Sequence, residues 1–140
     1  MTLESDGSWT DLGSGRVVAF EFHAATVEAC LARAVEGFAA AFAEAHPSVE
    51  ACGHPVVLTG TTPSALLLAV LEECLRRARE GEVAVGFGSA TLDGDIVRGT
   101  VEVVPAAEPR VHASLPHVLS WHEVSLDPDA DGWHGRVVAR

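Results

Sequence analysis

The chain has 140 residues and a mass of 14.6 kDa, the size of one ordinary domain. A chain this long buries roughly 68% of its unfolded surface, so it folds without a disulfide or a structural metal. Its 48% apolar and 21% charged residues exclude a wholly disordered chain, and no apolar run approaches the ~20 residues of a membrane span. Twenty acids against nine bases, a net charge of −11, argue against a protein that grips a nucleic-acid backbone, because phosphates repel such a surface.

Residues 1–15 are rich in Ser, Gly, Asp and Thr and read as a flexible lead-in to one domain over residues 16–140. Residues 16–22 are β-type, with Val and Phe dominating and Glu21 breaking the run on one face. Thr26 then caps a helix predicted over residues 27–45. Its apolar set, Val27, Leu31, Ala34, Val35, Phe38 and Phe42, steps by three and four along one face, and Pro47 ends it.

A short strand follows over residues 55–59. Thr62 before Pro63 is a strong second helix start, and that helix runs to Arg79 with Leu67, Val70, Leu71, Cys74 and Leu75 inward. Arg76, Arg77 and Arg79 in its last turn oppose the helix dipole, and Gly81 closes it. Residues 83–87 and 96–104 are strands flanking the hairpin signal Asp93-Gly94-Asp95. Residues 118–126 alternate, which puts Trp121 and Glu123 on one face and Ser120, His122 and Val124 on the other. A turn over residues 127–132 leads to a last strand over residues 133–138. The order β-α-β-α-β-β-β-β implies an α+β fold, two helices on one face of a mixed or antiparallel sheet.

Few residues offer chemistry. Lys and Tyr are absent, which closes their usual catalytic roles. Cys30, Cys52 and Cys74 have no metal-type spacing, and Cys30 and Cys74 fall on apolar stripes as core residues. Asp127-Pro-Asp-Ala-Asp131-Gly132 imitates a calcium loop, but its twelfth position is Val138 and strands flank it, so it reads as a hairpin turn. The histidines His112, His117 and His122 share no face, and Ser120 with His122 lacks the Gly-x-Ser-x-Gly elbow of a hydrolase. No secretion signal precedes the domain. A cytoplasmic, reduced protein that works on a partner, not an enzyme, is expected.

Three stretches resemble the archease family. Ala25-Thr-Val-Glu-Ala-Cys-Leu-Ala-Arg-Ala-Val-Glu-Gly-Phe38 is similar to its first helix, and Thr61-Thr-Pro-Ser-Ala-Leu-Leu-Leu-Ala-Val-Leu-Glu-Glu-Cys-Leu75 to its second. Leu115-Pro-His-Val-Leu-Ser-Trp-His-Glu-Val124 resembles its late aromatic-His strand, which an acidic turn, Asp-Gly-Trp and a closing strand follow. The resemblance covers about residues 16–140. It implies a cytosolic accessory protein of tRNA splicing. Such a protein promotes guanylylation of a GTP-dependent RNA-splicing ligase through metal-carrying acids.

The family's metal aspartates are the point of departure. An ungapped reading puts Val17 where the first Asp belongs, and a gapped one uses Asp11. The C-terminal pair is Ala139-Arg140, with no Asp. Glu44 stands for a later family acid, and His117 for a family Lys. Val and Ala give a divalent ion no ligand. Three readings follow. The first is an archease-like protein that binds a partner such as the RNA ligase through an acidic surface, with no cofactor and no direct nucleic-acid contact. The second is a true archease whose divalent cation is held by Asp11, Glu44 and histidines. The third is a small-molecule binder or enzyme with His117, Ser120 and His122 around a new pocket.

Overall fold

The structure, a computed structural model, describes residues 8–11, 18–42, 50–105 and 121–139. In chain order these form β1 (Ser8–Asp11), β2 (Val18–Ala24), α1 (Val27–Phe42), β3 (Cys52–Thr59), α2 (Pro63–Arg79), β4 (Glu82–Asp93), β5 (Ile96–Pro105), β6 (Trp121–Asp129) and β7 (Gly132–Ala139). The α+β class and the β-α-β-α-β-β-β-β order hold, with β1 added in front.

That added strand corrects the expected lead-in. Ser8–Asp11 pairs antiparallel with β2, Asp11 opposite Phe20, and packs near α1. The domain therefore begins before residue 16.

Among the described residues two sheets stand where one was expected, and every strand pair is antiparallel. One has the order β1-β2-β7-β6 and the other β3-β5-β4. The helices lie between them: α1 contacts β2 and β7 of the first sheet and β4 of the second, while α2 contacts β6 of the first and β3 and β4 of the second. A helix covered from both sides needs small or apolar residues around most of its circumference. The Ala- and Gly-rich sequence of α1 supplies them, with Cys30, Leu31, Ala34, Val35 and Phe38 all buried. One continuous core joins these residues to Phe20 and Phe22 of β2, Leu67 and Leu71 of α2, Val97 and Val101 of β5, and Leu126 and Val137 of β6 and β7.

Local signals behave as their chemistry dictates. Thr26 Oγ1 accepts the Ala29 N–H at 3.1 Å, and Thr62 Oγ1 accepts the Ala65 N–H at 3.0 Å with Pro63 in the first turn. Asp93 pairs with Ile96 across a two-residue loop, where Gly94 takes φ +62°. Asp129 pairs with Gly132 across the β6–β7 turn, and Asp129 Oδ1 accepts the Asp131 N–H at 2.9 Å. The calcium-like motif is thus a hairpin turn between strands.

The late strand departs from strict alternation. β6 starts at Trp121, and residues 118–120 lie outside the described ones. A bulge between Trp121 and Glu123 sets two steps of β6 against one of β7. Trp121 and Val124 consequently both pack on the core, while His122 and Glu123 are exposed. A period of two cannot anticipate an inserted residue.

Candidate functional site

One end of the four-stranded sheet gathers the positions to which the family resemblance points. The register places Val18, at the start of β2, and Trp121, at the start of β6, opposite Ala139, at the end of β7. Asp11 ends β1 at the same end. Helix α1 returns antiparallel to β2, with Gly37 seated on the Phe20 ring, so its last turn reaches this end too.

The described side chains here do not fit a divalent cation. Ala139 is a fully buried methyl and Trp121 carries no acceptor, which leaves the exposed His122. Of the anticipated ligands, Asp11 is placed by its backbone in β1, and Glu44 lies outside the described residues. His117 and Ser120 also lie outside them, so the anticipated pocket is represented by His122 alone. Among the described residues no group of three or more His, Cys, Asp or Glu side chains is arranged to hold a metal ion.

A second cluster was not anticipated from the sequence. On the outer face of the same sheet, Glu21 of β2 lies opposite Arg136 of β7. Arg136 Nη1 donates to Glu21 Oε2 at 3.0 Å, and its Nε lies 3.3 Å from Glu123 Oε1 of β6. That Nε is buried but not aligned for a hydrogen bond, so the second contact is an ion pair only. His134 Nε2 sits 3.5 Å from the other Glu21 oxygen. Alternation hinted that Glu21 and Arg136 face outward. Their meeting depends on a pairing between segments 115 residues apart, which no local pattern encodes. Such half-exposed pairs add little stability, and they leave a polar, mixed-charge sheet face open to a partner.

The arginines at the end of α2 are consumed internally. Arg77 Nε donates to Glu73 Oε2 at 2.6 Å and its Nη1 to Glu82 Oε1 at 3.2 Å. Arg76 donates to Glu73 at 2.7 Å and to Glu80 at 3.1 Å. Two arginines are thus engaged by three glutamates, which supports the dipole-compensating role of Arg76 and Arg77 against an anion site.

The fold is shared with a known structure. The solution structure of protein 1598 from Methanobacterium thermoautotrophicum superposes with a TM-score of 0.65 over 96% of this chain and 97% of that one, at 18% sequence identity. At that identity the match defines the class: an α+β domain with two helices against antiparallel strands. No protein-family model matches the chain, and no curated protein matches it in sequence. No helix among the described residues is long and apolar enough to cross a membrane.

Proposed function

We propose that the protein is an archease-like accessory protein of the cytoplasm. It acts by binding a protein partner, an RNA-splicing ligase, and is not itself an enzyme. The observation that carries this reading is the strand-end cluster of the four-stranded sheet. The ends that the resemblance assigns to metal binding meet there, yet β7 contributes the buried methyl of Ala139. That position gives a divalent ion no ligand, which supports partner binding without the family's metal. The net charge of −11 favours encounter with a basic protein surface and disfavours direct contact with RNA.

A true archease with a rebuilt cation site is the second reading. Its support is the position of Asp11, which β1 carries to the same sheet end.

Calorimetry with a purified GTP-dependent RNA-splicing ligase separates the two. Metal-independent partner binding predicts a complex that survives chelation, with ligase guanylylation unchanged. A rebuilt site predicts cation-dependent acceleration of guanylylation that Asp11→Ala abolishes. Absence of binding at about 100 µM of each protein, the weak end of specific association, rejects both.

A further inference from the structure

We infer that the outer face of the three-stranded sheet is a self-complementary surface on which a second copy of this chain docks. This face differs in kind from that of the other sheet, where Glu21, Arg136 and Glu123 satisfy one another. Its two central charges, Arg98 and Glu102, are both exposed, and neither has an ion-pair partner among the described residues. They stand four positions apart on β5, roughly 13 Å at ordinary strand rise, too far to pair within one chain. Beside Arg98, on the edge strand β3, Val57 is 60% exposed.

The register makes these features complementary to themselves. Thr100 lies midway between Arg98 and Glu102, with Pro55 and Gly88 opposite it on β3 and β4. Consider a two-fold axis in the interface plane, perpendicular to the strands and passing over Thr100. It keeps each strand over its own copy and reverses its direction. Arg98 then faces Glu102 of the second copy, and Glu102 faces Arg98 of the second copy. On β3 the same axis puts the protruding Val57 over Gly53, and on β4 it puts Thr91 over Gly86. The Thr100 methyl and the Glu102 carboxylate lie over Gly53 and Gly86, so the complementarity rests on the centre, where opposite charges meet about one axis.

Aligned sheets pack about 10 Å apart, a distance that an Arg and a Glu side chain span together. Three rows on three strands measure roughly 20 Å by 14 Å, below the ~800 Å² per partner of a standard stable interface. The dimer is therefore reversible and concentration-dependent.

Sedimentation equilibrium of the full chain from about 10 µM to about 1 mM reads the association. Arg98→Glu and Glu102→Arg each bring like charges together twice per dimer and weaken it at least about tenfold. The Arg98→Glu/Glu102→Arg double variant exchanges the charges and returns the association to within about threefold of the unaltered protein. Far-ultraviolet circular dichroism checks that each variant is folded. A chain that stays monomeric to the top concentration overturns the inference. So does an association indifferent to the single reversals, or a double variant as weak as the singles. A monomeric chain in which a ligase protects this face from amide exchange assigns it to a heterologous partner and overturns it as well.

Discussion

Ser64 and Leu126 exchange two hydrogen bonds across 62 residues of sequence. The Leu126 N–H donates to Ser64 Oγ at 2.9 Å, and the hydroxyl lies 3.5 Å from the Leu126 carbonyl, to which it donates. Among the described strands β6 is the edge of its sheet and pairs only with β7, so the first turn of α2 satisfies peptide groups that the sheet leaves open. The contact also fixes α2 to the four-stranded sheet, although the chain leaves α2 for the three-stranded one.

Ser64→Ala deletes both bonds and leaves a part-buried amide without a partner, so a loss of about 1–2 kcal/mol is expected. A urea titration reads the loss, and faster exchange of the Leu126 amide localises it. An unchanged midpoint and unchanged protection would mean that water fully replaces the hydroxyl.

Gly135 makes the sharpest steric prediction. It lies opposite Phe22 in the β2–β7 ladder, and a Cβ built on it would fall inside the contact radius of the Phe22 ring. Phe22 is 1% exposed and is enclosed in the core cluster. Gly135→Ala should therefore cost about 1–3 kcal/mol through overpacking. Phe22→Leu removes the obstructing ring, so the double variant should lose less than the two single losses summed. Thermal melts of the four proteins give the coupling, and strict additivity would place the clash elsewhere.

These contacts mark how far the sequence reaches. Caps, tight turns and helical stripes were legible because each is decided within a few residues. Thr26, Thr62, Gly94 and the buried Cys30 and Cys74 are where local chemistry puts them. The partition into two sheets was not legible, because Phe22 against Gly135 and Cys52 against Val103 are pairings of distant segments. Bulges were also hidden. Irregular register at Gly88/Thr91 carries β4 on to Asp93, past the expected end at Phe87, with Ser89 at φ +54°. β1 was missed because a four-residue edge strand in a Ser- and Gly-rich stretch has too few residues to show a period. At the site, the Glu21–Arg136–Glu123 network was not legible either, because its three residues come from three strands, of which β2 is distant in sequence from β6 and β7.

Glu73 links stability to pH. Burial pushes its carboxyl up, but hydrogen bonds from Arg76 and Arg77 more than reverse this and hold it below its ordinary value. The folded carboxyl thus titrates below the unfolded one. Its stabilisation is complete above the unfolded value of about 4.3 and is lost as pH falls through the folded value. Glu73 and Arg77 side chains are each 11% exposed, so the pair is more than a surface contact. Glu73→Gln is expected to cost about 1–3 kcal/mol at neutral pH, and the gap to the unaltered protein should close as pH drops below about 4. Denaturant midpoints across pH 3–7 would show this convergence, and a gap independent of pH would assign the loss to packing rather than charge.

The thiols report whether the helices stay enclosed between the sheets. Burial pushes Cys30 up to about 11 and Cys74 up to about 12, and the Cys30 thiol donates to the Trp133 carbonyl at 3.7 Å. Reaction with an aromatic disulfide needs both thiolate and access, and these two groups lack both. Cys52 is exposed at the start of β3. At about pH 8 one thiol per native chain should react quickly, and the other two only as fast as the chain opens. All three should react at once in strong denaturant, since all are free. Cys52→Ser should abolish the fast phase and leave the slow one intact. A fast phase that persists in this variant would mean that Cys30 or Cys74 reaches solvent without unfolding, which helices covered from both sides do not allow.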